Sequence, residues 1–301
     1  MKYTNMDEYF MNEAENEFQD EVKSIIEIIL NSNGKYELSE IPEIIFSWDS
    51  SNNTMNASAK RIENDLYKIT VNTFTPWHLK KELLWNKIKT QNINATKEVI
   101  VHSFISHILS FIIWHEYYHI AFGHCTIPQY RGEFNENISA DKGSFERQQF
   151  EVMCDLAAAR KFASDVFIIY QQNNQLDGFM WLFALLYIYF LEQENIKLSN
   201  INNFSVEEII NINRTHPFPT IRFMYTLDVL ISQLKNHYSM SDNEIDTICN
   251  GSNNILREIN CFDDGFNIIT DDHRIDEYIN RLCDINLDIL LANTQKKYIR
   301  N

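Results

Sequence analysis

The sequence predicts a mainly α chain of the α+β class, with a small antiparallel sheet toward its N-terminal side. Three observations carry this. Apolar residues recur at helical spacing through most of the 301 residues, whereas period-two alternation is confined to an early stretch. Seven glycines and five prolines are too few for the turns of an all-β sandwich. A composition that is 45% apolar is too rich for a disordered chain.

The elements follow in order. Phe10, Met11, Ala14, Phe18, Val22, Ile25, Ile26 and Ile29 mark one face of a helix over 7–30, stopped by Asn33-Gly34. Runs at 43–48 and 66–74 read as strands, the second entered through a turn at Glu63-Asn64-Asp65. Helices are then expected over 79–90, 96–122, 146–170, 178–193, 206–213, 218–236, 242–258 and 274–293. Ser205 with Glu208, and Ser241 with Glu244, have the capping-box spacing that starts a helix. The polar stretch 125–145 is the longest expected loop. No linker rich in Gly, Ser or Pro divides the chain, so one domain over 1–301 is expected. Its core spans about 43–230, with an N-terminal helix in 1–34 and C-terminal helices in 241–301.

The net charge is −16, from 26 basic and 42 acidic residues. An acidic surface repels phosphate backbones and anionic headgroups, which argues against nucleic acid or lipid as partners. The acidic N-terminal stretch has no apolar core and is not a secretory signal. The stretch 99–114 carries His102 and His107. The purely apolar stretch 179–191 reaches only about 20 Å as a helix, against a bilayer core of about 30 Å. Both are expected to be buried helices and not membrane spans. Five widely spaced cysteines, Cys125, Cys154, Cys249, Cys261 and Cys283, form no CxxC pair. Free thiols in a reducing cytoplasm are expected.

The chemistry is concentrated between residues 111 and 124, where His115-Glu116-x-x-His119 falls within a helical run. At 100° per residue, His115 and His119 lie one turn apart on one face, so both imidazoles can reach one Zn²⁺. Glu116 projects beside them, placed to take a proton from water and hand it to a leaving amine. Gly123 ends the helix. The plain alternative is a core helix whose histidines merely hydrogen-bond. A catalytic zinc needs a third protein ligand, and the next helix offers Glu151, with Asp155 one turn on as acceptor for the free N–H of a ligand histidine. Glu146 is a weaker substitute, and Ala157 to Ala159 would allow close packing there. Downstream, His216 is held extended before Pro217, and it or Arg222 could stabilise an oxyanion.

HExxH, then ExxxD, then HPxxxxR is similar to the gluzincin metallopeptidases, and the order resembles the heat-shock and CAAX-type membrane proteases. The stretch 55–72 looks like their strand pair before the zinc helix. The resemblance implies a zincin-like helical domain. It makes His115, His119 and Glu151 zinc ligands, Glu116 the base, Asp155 an outer support, and His216 with Arg222 the transition-state and scaffold pair. It covers about residues 43–230. Without a membrane span, the chain looks more like the soluble phage-exclusion peptidases of the Lit type, which implies a cytoplasmic enzyme with a cellular protein target and an activating partner.

The expected function is a zinc-dependent endopeptidase acting on a protein or peptide substrate. The alternative is a non-catalytic interaction or sensor module whose zinc is structural, with four protein ligands drawn in part from His124, His216 or Cys154. Otherwise His124 is expected to cap the helix, His107 to be a core histidine, and Cys154 a small buried thiol. Lys80, Lys81, Lys87 and Lys89 are expected to form a solvated face.

Overall fold

A computed structural model describes residues 6–31, 43–51, 55–63, 66–80, 97–126, 134–135, 145–172, 176–194, 196, 204–211, 214, 216–260 and 273–284. Its contacts group into two compact units, Met1–Ile138 with Ile285–Asn301, and Ser139–Asp284. The described residues are mostly helical, with one small sheet on the N-terminal side.

In the first unit, α1 (Met6–Asn31) buries Phe18, Val22, Ile26 and Ile29, one side chain per turn, against α3 (Lys97–Ala121) and the sheet. The sheet has the order β1-β3-β2-β4, formed by β1 (Glu43–Asp49), β2 (Ala57–Glu63), β3 (Leu66–Asn72) and β4 (Phe134–Asn135). Its pairings are mixed. β2 runs antiparallel to β3 and β4, as expected for a small antiparallel sheet, but β1 joins β3 in parallel. The sequence runs at 43–48 and 66–74 are therefore neighbours without being a hairpin; the antiparallel partner of β3 is the more polar β2. Of the turn assigned to residues 63–65, Glu63 ends β2, and Asn64 and Asp65 lie outside the described residues. β4 falls within the stretch expected to be a loop.

Tyr67, Ile69 and Val71 of β3 are buried on one face, flanked by Ala57 and Ala59 of β2. The two alanines leave room for α3, which packs on β2 and β3. α3 is apolar all round and correspondingly buried, from Val101 and Phe104 through Ile112, Ile113 and Trp114 to Ile120. The strand run ends earlier than residue 74. Asn72 Oδ1 accepts the Phe74 N–H at 2.8 Å, which turns the chain into the short helix α2 (Phe74–His78). Lys80 is half-buried and paired with Glu17 of α1, so it is not part of a free solvated face; Lys81, Lys87 and Lys89 lie outside the described residues. His102 also faces α1, with Glu21 at 2.5 Å and Glu17 at 3.3 Å.

The second unit is helical. α4 (Phe145–Gln172) packs on α5 (Leu176–Gln193), α7 (Pro219–Tyr238) and α9 (His273–Cys283), while α5 packs on α7 and α8 (Asp242–Asn260). In the apolar run 179–191 all residues but Met180 and Trp181 are buried, and they form the core of this unit. Ala158 and Ala159 are fully buried, as expected of small residues at a helix crossing. Gly251 serves the α5–α8 crossing in the same way: a Cβ there would stand 2.2 Å from Met180 Sδ. The short helix α6 (Val206–Ile209) opens with a full capping box of Ser205 and Glu208, and Glu244 accepts from the Ser241 backbone N–H at 2.8 Å. Helix α6 is shorter than the 206–213 expected, and the 285–293 part of the last expected helix lies outside the described residues.

Among the described residues no helix is long and apolar enough to cross a membrane. Cys125, Cys154, Cys249 and Cys283 are free thiols, Cys125 and Cys154 being buried.

Candidate metal centre

α3 places His115, Glu116 and His119 where the local spacing predicts, and all three are buried. The two Nε2 atoms face each other at 3.1 Å. Two lone pairs so close repel, so either one nitrogen carries a proton for the other or both serve a cation. Two nitrogens ligating one tetrahedral zinc at 2.0–2.1 Å would be about 3.3 Å apart, close to what α3 provides. The residues therefore fit a metal ion. Gly123, at φ 76°, turns the chain back after the helix, and its N–H donates to Ile120 O at 2.9 Å. A single 3₁₀ turn, His124–Thr126, follows. His124 was expected to cap the helix; its ring instead turns onto His119, Nδ1 to Nδ1 at 3.0 Å. Two turns before His115, half-buried His107 is held neutral by desolvation, which lowers its pKa to about 4.

In the second unit, α4 carries Glu151 and Asp155 one turn apart, both buried. Asp155 receives a two-pronged contact from Arg222, Nε at 2.9 Å and Nη2 at 2.7 Å, and the Tyr225 hydroxyl donates to it at 2.5 Å. Arg222 also donates to Gln193 at 2.6 Å and lies 4.5 Å from the centre of the Phe190 ring. Burial works against the Arg222 charge, but Asp155 overcomes it and holds the guanidinium firmly protonated. Burial, together with the Asp155 charge, raises the Tyr225 hydroxyl well above its ordinary range. Arg222 is thus committed to α4.

His216 stands between two glutamates, with Nε2 3.4 Å from Glu151 and Nδ1 3.3 Å from Glu194. Arg214 pairs with Glu194 at 2.7 Å. Burial alone would raise the Glu194 pKa. The hydrogen bond and charge of His216, with the charge of Arg214, more than reverse this and bring it down to about 2. Gln148 ties the same loop to α4 by donating to the carbonyls of Asn211 at 3.0 Å and Arg214 at 3.1 Å, and it accepts from the Tyr278 hydroxyl at 2.6 Å.

The structure thus joins His115 with His119, Asp155 with Arg222, and Glu151 with His216, each pair within one unit. The side chain of Glu146, the weaker substitute ligand, lies outside the described residues. Glu194, Gln148 and Tyr225 were not singled out from sequence. Of these only Tyr225 left a sequence signal, one turn after Arg222 on α7. Buried histidine, cysteine and glutamate side chains of a kind that holds a metal ion are present: His115, His119 and His124 in the first unit, Glu151 and Cys154 in the second. No protein-family model, no curated protein and no solved structure matches the chain.

Proposed function

We propose that this chain is a zinc-dependent endopeptidase of the cytoplasm, in which His115, His119 and Glu151 hold the ion. The observation that carries the reading is the buried Nε2 pair of His115 and His119, 3.1 Å apart, with Glu116 beside it on the same helix. Burying three such polar groups in an apolar helix is costly unless they have a task. Zinc, when bound, supplies a Lewis acid that makes water a nucleophile at neutral pH.

The remaining work falls to the chain. Glu116 takes a proton from the attacking water as its oxygen bonds to the peptide carbonyl carbon. It returns that proton to the amine nitrogen as the C–N bond breaks. His216, anchored through Nδ1 by Glu194, is assigned the developing oxyanion. Asp155, Arg222 and Tyr225 fix the helix that carries Glu151. The likeness to phage-exclusion peptidases directs the search for a substrate to a cellular protein.

The test pairs metal analysis with cleavage. Purified protein is expected to contain about one equivalent of zinc, and Glu116→Gln to retain it while hydrolysis falls roughly 10²- to 10⁴-fold. The substrate is sought as a new protein terminus in cells expressing the wild type but not Glu116→Gln. Full cleavage by Glu116→Gln would end the proposal.

A further inference from the structure

Three features hold the His124 ring in place. Gly123 adopts a left-handed backbone at φ 76° that only glycine takes freely, and this reverses the chain directly after α3. Thr126 locks the reversal, its N–H donating to Gly123 O at 3.0 Å and its hydroxyl to the same oxygen at 2.7 Å. The Cys125 thiol approaches Ala59 O at 3.6 Å, which ties the turn to β2. His124 is buried as a result, its ring centre 5.2 Å from that of His119 and its Nδ1 3.0 Å from His119 Nδ1.

The two short contacts on either side of His119 constrain its protons together. A neutral imidazole has one N–H and one lone pair. If His124 donated to His119 Nδ1, the His119 proton would sit on Nε2 and point at His115 Nε2, 3.1 Å away. A metal ligand needs the opposite: a lone pair on Nε2 and the proton on Nδ1. That proton then requires an acceptor, and His124 Nδ1 is in place to be one.

Resting on the zinc-peptidase reading, we propose that His124 is the positioning residue of His119: it accepts the His119 Nδ1–H and holds His119 in the tautomer whose Nε2 faces the metal. Carboxylates or backbone carbonyls commonly serve ligand histidines in this way. Here a second neutral imidazole does so without adding negative charge beside the ion. His124 then carries its own proton on Nε2.

The experiment measures zinc affinity by competition with a chromogenic chelator, in the wild type, His115→Ala, His124→Phe and His124→Gln. His124→Phe keeps a ring but removes the acceptor and is expected to weaken zinc binding 10- to 100-fold, while its metal-free melting temperature stays at the wild-type value. His124→Gln, whose amide oxygen can accept, is expected to recover most of the affinity. If either variant fails to fold, ¹⁵N NMR of the histidine rings in the zinc-loaded wild type decides: His119 protonated at Nδ1 and His124 at Nε2 supports the proposal. His119 protonated at Nε2, or a folded His124→Phe with unchanged affinity, overturns it. Loss of zinc in His115→Ala alongside an unchanged His124→Phe overturns this inference and leaves the peptidase reading standing. A wild type that takes up no zinc overturns both.

Discussion

The C-terminal end of α3 and the first half of α4 both bury polar side chains, but they satisfy them differently. At the end of α3, His119 meets His115 and His124, four and five residues away, through contacts between imidazoles. On α4, Asp155 is neutralised from 67 residues away by Arg222, and Glu151 meets His216 from 65 residues away. The first arrangement can exchange a proton for a cation with little rearrangement, as a metal site requires. The second is held by opposite charges out of water, where removing one partner strands the other. The two regions therefore satisfy their buried polar groups by different means. Under the proposed reading, substitutions should separate them: loss of zinc without loss of fold at His115 and His119, and loss of fold at Asp155 and Arg222.

The sharpest way to break the contrast is Asp155→Ala. Asp155 is 0% and Arg222 1% exposed, so the variant leaves a guanidinium buried without its carboxylate. Its urea midpoint should report a loss of about 3–5 kcal/mol. Adding Arg222→Met should restore a large part of it, because an apolar pair of similar volume carries no stranded charge. A single variant as stable as wild type would place the α4 network among ordinary surface pairs.

Acid titration gives the next largest effect and separates the units by pH. The pKa of His107 in the first unit is depressed from 6.5 to about 4 by desolvation. The unfolded chain therefore takes up this proton first, and stability falls as pH drops from 6.5 toward 4. Glu194 in the second unit is depressed from 4.5 to about 2. Its contribution is complete above 4.5 and is lost as pH falls toward 2. Each window spans up to about 3 kcal/mol. Stability curves of His107→Leu and Glu194→Gln against wild type should each lose their own window and keep the other. Loss of the same window in both would merge the two regions.

The smallest effect is at Gly123. Alanine there must adopt φ 76°, at a cost of about 1 kcal/mol. Thermal melts of Gly123→Ala should show this modest loss. A loss as large as that of Asp155→Ala would mean that the turn after α3 is as rigidly built as the α4 network.

What could be read in advance follows the same division. The positions of His115, Glu116, His119 and the terminating glycine are set by spacing along one helix, and the uncharged, apolar runs of α3 and α5 made their burial plain. The capping boxes of α6 and α8 were legible because both partners lie within four residues. β2 was harder to see because ASAKRIE, three small residues followed by Lys, Arg, Ile and Glu, carries little apolar signal. β4, two residues long, offers no periodicity at all. The parallel pairing of β1 with β3 depends on the chain between them and not on either strand's composition. Glu194 occurs in an unremarkable polar stretch, and only its neighbours His216 and Arg214 distinguish it.

By itself, the sequence determined the helices, the HExxH geometry on α3 and the acid pair on α4, because these depend on backbone periodicity and on residues a turn apart. Tertiary structure alone decided that Asp155 is spent on Arg222 and Tyr225 and that His216 stands between Glu151 and Glu194. The physical reason is range. A helix fixes the direction of every side chain it carries, but the partner each one finds across a packed core depends on how the chain returns.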